Sequence, residues 1–83
     1  MPMDSKKYIP DQTLDCRKLS CPLPVLKTKT TIARMAVGEI LEMISSDPGS
    51  VKDIEAWAKH TGQELLKTAG EDGHYRFYIR KVK

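Results

Sequence analysis

Two cysteines, Cys16 and Cys21, are the residues of this 83-residue sequence best suited to covalent chemistry. Pro22 and Pro24 follow Cys21 closely, and proline is favoured at the start of a helix, where its missing N–H is no loss. We therefore predict that a helix begins at Pro22, with Cys21 as its N-cap residue. At that position unpaired amide protons and the positive end of the helix dipole favour a thiolate over a thiol.

The activation expected from this position is modest, because a helix terminus typically contributes only ~0.3–1 kcal/mol. Pro22 and Pro24 have no amide proton, so the amide of Leu23 is the predicted local donor. Arg17 or Lys18 is the candidate source of additional positive charge. These five residues are the supporting members of the candidate site around Cys21.

Length and composition predict one small domain with one modest core, since 40% of the residues are hydrophobic and 30% are charged. We expect residues 1–11 to form a flexible leader and residues 12–83 the domain. No apolar run approaches the ~20 residues that span a bilayer, and the first residues lack the apolar stretch of a secretory signal. A cytoplasmic location is therefore predicted. The net charge of +3 favours anionic partners without requiring them.

Hydrophobic periodicity and turn residues predict the element order βαβαββ. The expected strands are 12–16, 39–45, 64–69 and 74–82. The first expected helix runs from Pro22 to near Gly38, and the second runs from the 47–50 region to Gly62. Residues 70–73 are expected to form a hairpin turn. Asp47 or Ser50 is expected to cap the second helix.

Each helix shows an apolar stripe that we expect to face the sheet. The first stripe consists of Val25, Leu26, Ile32, Ala33 and Ala36; the second consists of Val51, Ile54, Ala58 and Thr61, flanked by Trp57. In the last strand Tyr75, Phe77 and Ile79 alternate with Arg76, Tyr78 and Arg80. This alternation predicts a sheet that is apolar on the face covered by both helices and polar on the other.

The segment from Leu14 to Pro24, LDCRKLSCPLP, resembles the Cys-Pro-x-Pro signature of the TusA/SirA-like sulfur-carrier family. Asp47-Pro48, followed by Asp53, Ile54 and Trp57, is similar to the same family's second-helix segment, and the similarity covers roughly 12–82. The resemblance implies an α/β two-layer sandwich, in which a four-stranded mixed sheet has two helices packed on one face. It also implies that Cys21 carries a persulfide.

The same resemblance implies a sulfurtransferase that acts as a protein-to-protein persulfide relay. Its partners would be a cysteine desulfurase or rhodanese-like sulfur donor and a downstream acceptor protein. Independently of the resemblance, the sequence leads us to expect no cofactor, no metal, no membrane and no nucleic-acid partner. The pathway served, whether tRNA thiolation, molybdenum cofactor, sulfur oxidation or selenium metabolism, is not named by the sequence. Lys18 and Cys16 depart from many relatives, which have glycine or no cysteine at these positions.

Two alternatives remain open at this stage. Cys16 and Cys21 could form a dithiol redox pair through thiol–disulfide exchange, with Cys16 as the resolving or assisting thiol, or Cys16 could be a small buried residue. A nonenzymatic regulatory or nucleic-acid-binding module could instead use the basic strand face of Arg76, Tyr78 and Arg80. His60 and His74 lack zinc-site spacing relative to the cysteines.

Overall fold

The computed structural model describes residues 9–20, 23–71 and 73–83 and has the predicted βαβαββ order. The elements are β1 (Gln12–Cys16), α1 (Leu23–Ala33), β2 (Ile40–Ser45), α2 (Gly49–Thr61), β3 (Glu64–Glu71) and β4 (His74–Arg80). The four strands form one sheet in the order β1-β2-β4-β3. β1 pairs with β2 in parallel, whereas the other pairs are antiparallel. The predicted four-stranded mixed sheet with two helices is confirmed.

The core lies between the inner face of the sheet and the two helices. Leu41 and Met43 of β2 pair with Ile79 and Phe77 of β4, and all four side chains have no exposed surface. Ile54 of α2 is equally buried against them. The alternation predicted for the last strand is therefore confirmed, and β2 and β4 are the strands that supply the centre of the core.

The first helix is rotated relative to the prediction. Its buried residues recur every four positions and are Pro24, Thr28 and Ile32. The Thr28 hydroxyl donates to the Pro24 carbonyl at 2.8 Å, so a polar side chain is accommodated in the interior. Leu26, which we expected to be in the core, is 50% exposed, and Ala33 and Ala36 are also exposed. The predicted apolar stripe is therefore confirmed for Ile32 and for Val25, which packs partly against the core, and is wrong for the other three residues.

The first helix also ends earlier than predicted. After Ala33 the chain turns so that the Met35 side chain enters the core, where it is 6% exposed. The Lys81 ammonium group donates to the Met35 carbonyl at 2.8 Å, just beyond the end of α1. Gly38, at φ 97°, then donates its amide to the Lys81 carbonyl at 2.7 Å. These bonds direct the chain into β2.

The second helix begins and ends close to the predicted positions. The Asp47 carboxylate accepts the Gly49 amide at 2.9 Å beside the start of α2. The N-cap position itself is occupied by Pro48, so no side chain caps α2 as predicted. Ser50, the alternative cap, is instead buried inside the helix, with its hydroxyl 2.7 Å from that of Ser45. Gly62 ends α2 in the left-handed conformation, at φ 83°.

The hairpin between β3 and β4 is tighter than predicted. Glu71 pairs directly with His74, so only two residues connect the strands, and Gly70 belongs to β3. Gly73 has φ 81°, which is the conformation that a two-residue Asp-Gly turn requires. Asp72 itself lies outside the described residues.

Candidate functional site

Cys21 and Pro22 lie outside the described residues, so the site is described by the chain on either side of them. Ser20 is exposed, and Leu23, the first residue of α1, is 43% exposed. The Leu23 amide donates to the Ser20 carbonyl at 2.9 Å. The amide proton predicted to be the local donor is therefore used by a neighbouring carbonyl. Pro24 is buried, which anchors the first turn of α1 against the core.

The two basic residues of the connection between β1 and α1 differ in their partners. Arg17 binds the Asp15 carboxylate in a bidentate pair, with N–O distances of 3.0 and 2.9 Å. The hydrogen bonds from Arg17 hold the pKa of Asp15 at about 2, below its ordinary value. Lys18 is exposed and contacts no carboxylate among the described residues. Lys18 therefore supplies the uncompensated positive charge of this connection.

Cys16 is placed in the core rather than at the surface. It has no exposed surface and packs in the same cluster as Ile32, Leu41 and Met43. Burial raises the pKa of the Cys16 thiol, the positive charge of Lys27 partly offsets this rise, and the charge of Asp15 adds to it. In this conformation Cys16 acts as a small packing residue, and thiol exchange would first require its exposure.

The two segments that resemble the family's motifs meet at one edge of the sheet. Because β1 and β2 are parallel and Cys16 pairs with Ser45, the connections that follow both strands leave from the same edge. The Ser46 hydroxyl donates to the Arg17 carbonyl and joins these connections directly. The segment that leads to Cys21 is therefore held against the connection between β2 and α2.

A groove opens between the β1–α1 connection and the exposed side of α1. Its first part, of about 760 Å³, is lined by Leu14, Asp15, Arg17, Lys18, Leu19 and Lys27. An adjoining part of about 450 Å³ shares Leu14 and Lys27 and adds Leu23, Leu26, Thr30, Thr31 and Arg34. We call this surface the α1 groove. Sequence reasoning missed it because Leu26 was assigned to the core.

The outer face of the sheet contains a partly buried carboxylate that binds the basic strand face. Glu42 accepts hydrogen bonds from Arg76 at 2.7 Å, Tyr78 at 2.9 Å and Thr13 at 3.2 Å. Burial acts to raise the pKa of Glu42, but these hydrogen bonds outweigh it and hold the pKa below its ordinary value of 4.5. Arg80 pairs with Glu64. Because both arginines bind carboxylates, the nucleic-acid alternative loses its main cationic groups.

Metal-ligating side chains do not cluster in threes within residues 9–20, 23–71 and 73–83. Neither of the helices over these ranges has the length and apolar character needed to cross a membrane.

Comparison with known proteins places these features in context. Residues 12–81 match the sequence model of the family described as Sulfurtransferase TusA. The chain is 49% identical over 71 residues to the sulfur carrier protein TusA of Allochromatium vinosum. The matched region covers 86% of this chain and 93% of that protein. The chain is 38% identical over 74 residues to the sulfur carrier protein TusA of Pseudomonas putida, covering 89% of this chain and 92% of that one.

The fold is also similar to a solved structure. The crystal structure of a SirA-like protein from Desulfitobacterium hafniense superimposes with a TM-score of 0.77 at 20% identity. The match covers 87% of this chain and 99% of that chain. At this identity the likeness establishes the fold alone.

Proposed function

We propose that this chain, which belongs to the TusA sulfurtransferase family, is a sulfur carrier that holds sulfane sulfur as a persulfide on Cys21. The family match over residues 12–81 carries this proposal, because it includes the Cys-Pro-x-Pro segment. The exposure of Ser20 and Leu23, the described residues that flank Cys21 and Pro22, supports it, since a carrier thiol must reach a partner's sulfur.

The proposed chemistry consists of two thiol-exchange steps. The Cys21 thiolate attacks the terminal sulfur of a donor persulfide; a new S–S bond forms on Cys21 as the donor's S–S bond breaks, and the donor leaves as a thiolate. An acceptor thiolate then attacks the terminal sulfur on Cys21, and Cys21 leaves as a thiolate. One S–S bond breaks for each that forms, so neither step needs an oxidant or a reductant. Protons on sulfur exchange with solvent.

The proposed donor is a cysteine desulfurase or a rhodanese-like protein, and the acceptor is a protein with a nucleophilic cysteine. Transfer requires two sulfur atoms to approach closely, so the docked proteins supply the orientation that a deep pocket would otherwise give. Pro22 and Pro24, on either side of Leu23, restrict the backbone next to Cys21, and Lys18 adds positive charge that favours anionic sulfur. The proposed location is the cytoplasm, where thiols stay reduced.

Intact mass spectrometry tests the proposal directly. The chain is incubated with a cysteine desulfurase and cysteine, and separately with inorganic polysulfide, and its mass is measured before and after treatment with a reductant. We expect a gain of one or more sulfur atoms that the reductant removes. Peptide mapping should place the added sulfur on Cys21.

Two variants make the test specific. Cys21→Ser should gain no reducible sulfur, whereas Cys16→Ala should load as the parent chain does, because Cys16 is buried in the core. Thermal unfolding of both variants verifies that they are folded. Equal loading of Cys21→Ser and the parent chain would refute the carrier role of Cys21. A stable Cys16–Cys21 disulfide in place of a persulfide would support the dithiol alternative.

A further inference from the structure

The α1 groove exposes leucine side chains beside the connection that carries Cys21. Leu23 and Leu26 are 43% and 50% exposed on the side of α1 opposite its buried residues. Leu14 and Leu19 continue this apolar surface and pack partly against the core. Exposed apolar side chains that are contiguous and bordered by polar groups are typical of surfaces that bind other proteins.

The described residues that line the α1 groove carry more positive than negative charge. Four of them are basic, and Asp15 is the one acidic residue among them, which gives these lining residues a net charge of +3. The whole sequence, with 14 basic and 11 acidic residues, has the same net charge. Within the described part of the chain, Lys18 and Lys27 pair with no carboxylate, while Asp15 is already bound by Arg17. The positive charges of Lys18 and Lys27, at the border of the α1 groove, are therefore available to a binding partner.

We propose that the α1 groove is the docking surface for the sulfur-donor protein, and that the donor presents apolar side chains bordered by carboxylates next to its persulfide. This inference rests on the proposed function. The leucines provide the contact that excludes water, and the cationic rim steers the acidic partner and fixes its orientation. A second copy of this chain is disfavoured as the occupant, because two surfaces of charge +3 would repel each other. A nucleic acid would leave the leucines without a matching apolar surface.

Matched pairs of variants separate the groove from general effects of charge and hydrophobicity. Lys27→Glu changes the groove, whereas Lys29→Glu makes the same charge change on the same helix but faces a different depression beside Trp57. Leu26→Gln removes an exposed leucine from the groove, whereas Val37→Gln alters a side chain that is 66% exposed elsewhere. Each variant is mixed with a sulfur-loaded cysteine desulfurase or rhodanese, and the reaction is quenched at a series of times. The sulfur transferred at each time gives the second-order rate constant for each donor.

We expect Lys27→Glu to reduce the rate constant from at least one of these donors about ten-fold, and Leu26→Gln to reduce it measurably, while both control variants transfer at the parent rate. Every variant should still reach the parent's final occupancy with inorganic polysulfide and react with neutral iodoacetamide at the parent rate. These two readouts report the carrier thiol itself.

Each other outcome overturns the docking proposal. If the groove variants accept sulfur from both proteins at the parent rate, or if Lys29→Glu slows transfer equally, the groove is not the docking surface, although the carrier function stands. If the parent chain accepts sulfur from polysulfide but from neither donor protein, the groove is again not the docking surface and the carrier function stands. If a groove variant loses iodoacetamide reactivity as much as it loses sulfur transfer, the substitution acts on the reactivity of the thiol and not on docking. Loss of self-association or of RNA binding in the groove variants would identify a different occupant. In this set of experiments, failure of polysulfide to load Cys21 would refute the proposed function as well.

Discussion

Cys16 shows how burial determines the chemistry of a single thiol. It has no exposed surface, and desolvation raises its pKa, so both access and thiolate formation are unfavourable. We expect iodoacetamide to modify Cys21 first in the folded chain and Cys16 only after a denaturant is added. Peptide mapping over a time course measures both rates. Comparable rates for the two thiols in the folded chain would contradict this expectation and favour the resolving-thiol hypothesis.

Glu42 accepts hydrogen bonds from three side chains on the outer face of the sheet. Glu42→Gln removes the charge that Arg76 binds and should lower the free energy of unfolding at neutral pH by about 2 kcal/mol. Because the folded pKa of Glu42 is depressed, its charge stabilises the fold fully above the ordinary value of 4.5, and this contribution is lost as the pH falls below 4.5 through the folded pKa.

The variant should therefore lose less stability than the parent chain over that acidic interval. Urea unfolding at a series of pH values measures the difference. Glu64→Gln is the matched control, since Glu64 also binds an arginine but both partners are 44% exposed, and exposed pairs contribute little. An equal effect of the two substitutions would contradict the special role of Glu42.

At the scale of elements, the β3–β4 hairpin depends on the backbone conformation of one glycine. Gly73 has φ 81° and open space where a Cβ would be, so Gly73→Ala should destabilise the chain by about 1–2 kcal/mol through conformation alone. Gly70→Ala is the matched control: its Cβ would contact the Tyr75 ring at an ordinary 3.4 Å, and we expect little change. Urea unfolding compares them. Equal destabilisation by both would show that packing dominates.

The elements also show which parts of the fold the sequence could predict. The alternation in β4 and the position of the β3–β4 hairpin depend on neighbouring residues, and both were predicted from the sequence. The turn itself has two residues, where four were expected. The face of α1 was predicted only in part, because periodicity grouped Leu26 with Ile32, whereas packing against the sheet buries Ile32 together with Pro24 and Thr28. Leu26 remains exposed. The end of α1 likewise depends on Met35 entering the core and on Lys81, which is distant in sequence. Such tertiary contacts override local periodicity.

The same division applies to the site at the scale of the whole molecule. A linear motif predicted Cys21 and its prolines as the candidate site. The α1 groove could not be predicted from the sequence, because it forms only where β1, the β1–α1 connection and α1 pack together. Leu26 was predicted to be a core residue, and the basic residues of the groove are dispersed among 14 basic residues in the sequence. The net charge of +3 was visible in the sequence, but the grouping of four basic residues around one groove was not.

The concentration of charge on one surface leads to a prediction for the whole molecule. Raising the salt concentration from ~0.01 M to ~1 M shortens the Debye length from ~30 Å to ~3 Å, so attraction between the α1 groove and an acidic donor should be screened. We expect the rate constant for sulfur transfer from the donor protein to fall steeply with salt in the parent chain and less steeply in Lys27→Glu. The rate of reaction with neutral iodoacetamide should stay nearly constant, because that reagent carries no charge to steer. Identical salt dependence in the parent chain and Lys27→Glu would mean that the positive charge of the groove does not guide the donor, and that its leucines alone, or another surface, provide the contact.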